Sequence, residues 1–303
     1  MKMLRSRPVS GYPQTVLVTG ASTGIGRETA LLLAQNGWRV FAGIRNEKDA
    51  EALSKDAQGI VEPLRIDVED QQSISKAREV VEERLGDQGL DALVNNAGVG
   101  MVSPVEHTSL DKLREIFEVN LFGQIAVIQA FLPLVRRAKG RIVNMGSVGD
   151  HITPPFGGAL GSSKAAFASM TSALRLELRS QGIYVSLVEP GAINTPAVDK
   201  TLGAVEKTIA ELPKAGAHLY GPAMRTMTRT FAKTERSGSV PKVVAEVVER
   251  VLTDRNPGTR YPAGKESMKL ALLAWLLPER MLDLAILKTF GLPTTFGKPV
   301  SYR

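Results

Sequence analysis

The stretch from Thr15 to Gln35 constrains this chain more than any other. A short β-branched run, Thr15 to Thr19, passes into Gly20-Ala21-Ser22-Thr23-Gly24-Ile25-Gly26, and a helix-like run from Arg27 to Gln35 follows at once. Glycines at such a turn let the backbone bend tightly and approach a phosphate whose charge faces the helix N-terminus. A packed strand-to-helix turn would also accept the trio, and its position between strand and helix favours the phosphate site.

The same rhythm continues downstream. Further strand candidates are Arg39 to Ile44, Val61 to Ile66, Ala92 to Asn95, Arg141 to Met145 and Tyr184 to Val188, separated by helix-length amphipathic stretches. Six strands joined by crossover helices predict an α/β fold, a doubly wound parallel sheet of Rossmann type in a single domain. Residues 1–14 read as a tail and 15–262 as the domain, with a mobile lid over about 199–240. Residues 263–303 read as a C-terminal helical extension, helix-like from Ser267 to Phe290.

Composition removes several classes of function. The chain has no cysteine, which excludes disulfides, thiolate metal sites and a cysteine nucleophile; no metal site is expected. Its net charge of +7 is scattered among acidic residues without a five-residue basic block, so no nucleic acid partner is expected. The opening MKMLRSRPVSGYPQ is charged without an apolar core, unlike a secretory signal. Leu270 to Leu277 is too short to span a bilayer and ends at Pro278. These features predict a soluble, cytoplasmic protein with no transmembrane segment.

The spacing Thr19-Gly20-x-x-x-Gly24-Ile25-Gly26, the later Asn95-Asn96-Ala97-Gly98, and Pro190-Gly191 with Thr195 resemble the short-chain dehydrogenase/reductase family, over about Thr15 to Tyr261 in one register. Arg141-Ile142-Val143-Asn144 and Arg260-Tyr261-Pro262 look like its retinol and hydroxysteroid dehydrogenase branch. The resemblance implies a nicotinamide dinucleotide held by Gly20, Ser22, Thr23, Gly24, Ile25 and Gly26. Asp67 and Val68 would flank the adenine, Asn95, Ala97 and Gly98 would line the ribose side, and Pro190, Gly191, Ile193 and Thr195 would hold the nicotinamide amide. Each motif also has a local reading, as a helix cap, a turn or a strand end. At the end of the second strand, Ile44 stands where a carboxylate would favour NAD, and Arg45 follows. An arginine fork suits a 2′-phosphate, so NADP(H) is the expected cofactor.

The resemblance further implies that Asn120 orders a water, Ser147 hydrogen-bonds the substrate oxygen, and Lys164 binds the nicotinamide ribose while lowering the pKa of a tyrosine four residues earlier. That position holds Leu160, which has no donor, acceptor or titratable group. Four explanations stand: another group gives the proton, the reaction needs no strong acid there, redox turnover has been lost, or the leucine was introduced into an active enzyme. His151, four residues after Ser147, is the candidate replacement acid, since imidazole titrates near neutrality; it also reads as a packed or solvated loop residue. His107 and His218 are weaker candidates.

Phe156, Leu160 and Tyr220, with Pro154, Pro155, Leu219 and Met224, read either as walls for a bulky apolar substrate or as ordinary core. The function expected is NADP(H)-dependent reduction of an apolar carbonyl, enone or quinone-like ring. The alternative is a redox-silent relative, a cyclase, isomerase or scaffold. Ala271 to Leu287 is apolar on much of its circumference and reads as a packed helix, with membrane docking or cover of the substrate mouth as the other options. Long helices represented by Leu113 to Arg136 and Ser163 to Arg179 imply, by resemblance, a homodimer or homotetramer.

Overall fold

A computed structural model describes residues 13–57 and 61–298; most of the predicted N-terminal tail and the last five residues of the extension lie outside that range. Strands β1 (Thr15–Val18), β2 (Arg39–Ile44), β3 (Val61–Arg65), β4 (Ala92–Asn95), β5 (Arg141–Met145), β6 (Tyr184–Pro190) and β7 (Arg260–Ala263) form one parallel sheet in the order β3-β2-β1-β4-β5-β6-β7. The strand order reverses between β1 and β4. At that switch point the turns leaving the two strands diverge and open a crevice at the carboxyl ends of the sheet.

The strands are apolar on both faces because helices cover both faces. Val16, Val18, Val40 and Ala42 point into a core shared with α1 (Gly24–Gln35), α2 (Glu47–Asp56) and α9 (Pro241–Thr253). Their neighbours Leu17 and Phe41 point the other way, toward α3 (Gln71–Leu85), α5 (Gly123–Ala138) and α6 (Gly158–Leu178). That alternation is the period of two expected of a pleated strand.

The short helix α4 (Leu110–Phe117) continues into α5 through one wide turn, Glu118–Phe122, of π geometry. Leu110–Ala138 is long and apolar enough to cross a bilayer, but most of its apolar stretch is buried in the protein. Its apolarity is explained by the second core.

Three expectations change. The sheet has a seventh strand, β7, which pairs Tyr261 with Val188 and Pro262 with Glu189 at the edge. Proline is tolerated in an edge strand because no partner needs its missing N–H. The predicted lid is two helices, α7 (Ala197–Glu211) and α8 (Lys214–Arg236), with their own small core of Val205, Ile209 and Met224 resting on Val102 and Phe156. The single packed C-terminal helix is instead α10 (Ser267–Leu276) and α11 (Glu279–Thr289), broken at Leu277-Pro278. Ser267 is the one buried residue of α10, and α11 has none.

Candidate active site

The glycine turn is built for close approach. Gly20 and Gly24 adopt φ +64° and +58°, in the region where a side chain is strained. A Cβ on Gly20 would stand 2.8 Å from Ala97 Cα, and one on Gly26 would collide with the Gly20 carbonyl and Asn96 Nδ2. Asn96 secures this packing: its Nδ2 donates to the carbonyls of Thr19 (2.9 Å) and Gly20 (3.2 Å), and its backbone N–H donates to Thr19 Oγ1. Thr23 caps α1 in extended geometry without a side-chain cap bond, so the N–H groups of the first turn face outward, ready for an anion. Ser22, Thr23, Gly24 and Arg27 line an open cavity of about 340 Å³ there, together with Glu28, Asp56, Pro196 and Pro241. The residues present fit a dinucleotide pyrophosphate.

The other predicted cofactor residues divide. Thr195 comes within van der Waals reach of a Cβ at Gly24, so the loop from Pro190 to Thr195 meets the glycine turn across the crevice. Ile193 is buried, and its N–H donates to Glu235 Oε2 at 3.1 Å. Arg45 is exposed beside Asp67 and Glu69; burial, then the nearby Asp67, raises the Glu69 pKa while Arg45 lowers it. Asp67 Oδ1 accepts the Glu69 N–H at 3.2 Å, which is the local turn role. Val68 and Ile25 place their side chains in or against the core, leaving only backbone for a ligand. Asn95 departs from the expectation: its side chain points into the protein, where Nδ2 donates to the Gln124 carbonyl at 3.0 Å. It braces β4 against α5 rather than lining the crevice.

Beyond the ends of β4 and β5 a second cluster forms. Asn120 sits in the wide turn, where its Oδ1 accepts the Val99 N–H (2.8 Å) and its Nδ2 donates to the Val99 carbonyl (2.9 Å) and Ser163 Oγ (3.0 Å). Both amide hydrogens are therefore used by the protein. Ser163 Oγ in turn donates to the Leu160 carbonyl. Lys164 is buried, and its Nζ donates to the Met145 carbonyl at 2.8 Å. Burial lowers its pKa from 10.5 to about 8, with the Asp150 charge opposing. Gly98 closes the group: a Cβ there would lie 3.3 Å from Asn120 Oδ1 and 3.6 Å from Lys164 Nζ.

Ser147 Oγ accepts the Gly149 N–H at 3.0 Å, which leaves its hydroxyl hydrogen available to a ligand. Leu160 is half-buried, with Cδ2 3.7 Å from a Cβ at Gly100. Phe156 adopts φ +65°, costly for a bulky residue. That conformation sets its ring edge-on to Tyr220 at 6.2 Å, while the Tyr220 hydroxyl donates to Glu106 Oε2. Met224 is buried in the small core of α7 and α8, and Leu219 faces solvent.

His151 belongs to a different network. Its Nε2 is 2.9 Å from Glu189 Oε1 and 3.0 Å from Arg260 Nη1; Arg260 also pairs with Glu189 and, at 3.1 Å, with Asp150 Oδ2. The Asp150 and Glu189 side chains are 2% and 3% exposed. Burial and the neighbouring Asp150 raise the Glu189 pKa, and Arg260 holds it back. These groups come from residues far apart in sequence, and nothing in their local spacing announces them. Asn96 and Ser163 were within reach, since both lie inside motifs that the sequence displays.

The family model described as short chain dehydrogenase matches residues 14–205. Retinol dehydrogenase 5 of Mus musculus is 35% identical over 88% of this chain and 86% of its own length. This chain belongs to the short-chain dehydrogenase/reductase family. Within it, the likeness extends to 17-beta-hydroxysteroid dehydrogenase type 6 of Rattus norvegicus, 34% identical over 93% of this chain and 91% of that protein, which places the chain in the retinol and hydroxysteroid branch. The crystal structure of a short-chain dehydrogenase from Streptomyces avermitilis superposes with a TM-score of 0.73 at 26% identity, covering 93% of this chain and 98% of that one. The doubly wound sheet of this oxidoreductase family member is thus the family's own architecture, and NAD(P) is the family's cofactor.

Proposed function

We propose that this short-chain dehydrogenase/reductase is an NADP(H)-dependent reductase of a bulky apolar carbonyl, enone or quinone-like substrate, and that its proton comes from a group other than tyrosine. The observation that carries the reading is the cluster of Asn120, Ser163 and Lys164 against Gly98, beside Ser147, with Leu160 one helical turn before Lys164. The glycine turn and the N-terminus of α1 hold the pyrophosphate. Arg45 binds the 2′-phosphate, Lys164 the nicotinamide ribose, and the loop from Pro190 to Thr195 the carboxamide. When bound, the dinucleotide supplies hydride to the substrate carbon.

Ser147 Oγ donates to the substrate oxygen as charge grows on it. The proton comes from Lys164 Nζ, whose pKa of about 8 suits transfer near neutrality, or from His151, whose exposed ring exchanges with solvent. A conjugated enone or quinone delocalises the charge and accepts its proton from water. Phe156, Leu160 and Tyr220 line the substrate side. The chain pairs as a homodimer or homotetramer through α5 and α6, and Met170 and Leu176 are exposed on α6; light scattering at micromolar concentration tests this, and a monomer refutes it.

Leu160 itself favours a second reading, a cofactor-binding protein without redox turnover, since loss of a general acid costs about 10² to 10⁴ in rate. The test follows NADPH oxidation by the protein and by Leu160→Tyr over one panel of apolar ketones, enones and quinones. Turnover by the leucine form supports the reductase. Activity only after tyrosine is restored identifies an intact pocket silenced by leucine. Silence from both, with NADPH bound, supports the second reading.

A further inference from the structure

The network around His151 converges on one atom. Asp150 Oδ2, Glu189 Oε1 and His151 Nε2 all lie against Arg260 Nη1, at 3.1 Å for the aspartate and 3.0 Å for the imidazole. That nitrogen has only two hydrogens for three acceptors, and because a guanidinium only donates, His151 Nε2 turns its lone pair toward the centre. Three acceptors thus crowd one cation. Among the described residues, no other group of three histidine, aspartate or glutamate side chains converges in this way.

Asp150 adds an observation of its own. Its side chain is 2% exposed, yet its Oδ1 is buried without a hydrogen bond, 3.5 Å from His151 Nε2. A buried carboxylate oxygen left without a partner is costly, and one that faces an imidazole lone pair marks an unfilled ligand position. The spacing can be tested against a metal. Zn–N and Zn–O bonds of about 2.0–2.1 Å in a tetrahedron put neighbouring ligand atoms about 3.3–3.4 Å apart. The separations of His151 Nε2 from Asp150 Oδ1, 3.5 Å, and from Glu189 Oε1, 2.9 Å, bracket that value.

We infer that Asp150, His151 and Glu189 form a zinc site whose centre the Arg260 guanidinium holds when no metal is bound. The ligand types select the ion: an imidazole with two carboxylates suits zinc, whereas magnesium and calcium take oxygen shells of six or more. The lack of cysteine removes thiolate sites and leaves nitrogen and oxygen ligands in place. Charge agrees, since a divalent ion matches two buried carboxylates where a guanidinium matches one. Arg260 is also free to leave. It opens the edge strand β7 with its side chain 38% exposed, while the ligands stay on β6 and on the turn after Ser147. Ser147 caps that turn through its Oγ, so the ion would fix the candidate site's hydroxyl from behind. A bound ion takes His151 out of the proton routes proposed above, and the zinc site itself does not depend on that reaction.

The test titrates the untagged full chain, without cofactor or substrate, with zinc chloride. Isothermal titration should show one ion bound per chain with a micromolar Kd, undisturbed by an equal concentration of magnesium. His151→Gln changes an exposed ring; it should keep the metal-free melting temperature and weaken zinc binding by at least about 100-fold, more than an outer-shell change costs. Arg260→Met removes the competing cation and should bind zinc at least about 10-fold more tightly than the wild type. Zinc should also raise the melting temperature of Arg260→Met more than that of the wild type. Absence of zinc binding to the wild type overturns the inference. Binding that survives His151→Gln places the ion elsewhere and overturns it as well. So does weaker binding by Arg260→Met, which would make the guanidinium a support of the ion rather than its substitute.

Discussion

Lys164→Met isolates the electrostatics of the most deeply placed charge in the candidate site. At pH 7 the ammonium is buried, and its lowered pKa, about 8 instead of 10.5, corresponds to about 3 kcal/mol of destabilisation carried by the charged form. Its hydrogen bond to the Met145 carbonyl returns about 1.5–3 kcal/mol. The variant loses both, so at pH 7 the two proteins should differ by no more than about 1.5 kcal/mol. The dependence on pH is more informative. Between pH 8 and 10.5 the unfolded chain still holds a proton that the folded protein has released, so unfolding takes up a proton and wild-type stability rises with pH. Methionine has no such linkage. Urea unfolding followed by circular dichroism should show a constant difference below pH 8 and then a swing of about 3 kcal/mol toward the wild type by pH 10.5. A difference independent of pH across that window would refute the assignment of a desolvated, titrating lysine.

Other consequences can be measured directly. Arg45→Ala should weaken NADPH binding by about 10- to 100-fold and leave NADH binding nearly unchanged, read by isothermal titration. Gly26→Ala should abolish binding of both dinucleotides and destabilise the fold, because its Cβ has no room beside Gly20 and Asn96. Arg260→Ala strips the buried Glu189 and Asp150 of their cation and should cost about 3 kcal/mol in urea unfolding. Burial raises the Glu235 pKa from 4.5 to about 7, so the folded protein binds the extra proton and wild-type stability falls as pH rises from 4.5 to 7. Allowing for partial exposure, Glu235→Gln should remove about 2 kcal/mol of that fall.

The parallel sheet was readable because its signals are local. TVLVTG, RVFAGI and RIVNM each declare strand and burial within six residues, and the glycine turn declares its own backbone. β7 was not readable, since Arg-Tyr-Pro-Ala contains a proline and gains strand geometry only from pairing with β6. The helices of the lid were obscured by glycine and by Pro222 within α8, and they are held by a core formed with Val102 and Phe156. In the candidate site, Lys164 and Asn120 followed from motifs. The commitment of His151 to Glu189 and Arg260 did not, because it joins three elements that only the closed sheet brings together.

The wide turn at Glu118–Phe122 bears on how this site can change. An α-helix advances about 100° per residue, so deleting one residue there to restore a regular helix would rotate α4 against α5 by roughly that angle. Either Ile116 or Phe131 could then keep its place in the interior, but not both. The surplus residue that carries Asn120 is thus locked in by the registers of two helices on either side of it. The asparagine can be exchanged for another residue in one step, whereas the kink that displays it cannot be lost without repacking one whole layer of the domain. Sequence drift in this chain should accordingly preserve the length of this segment more strictly than its chemistry.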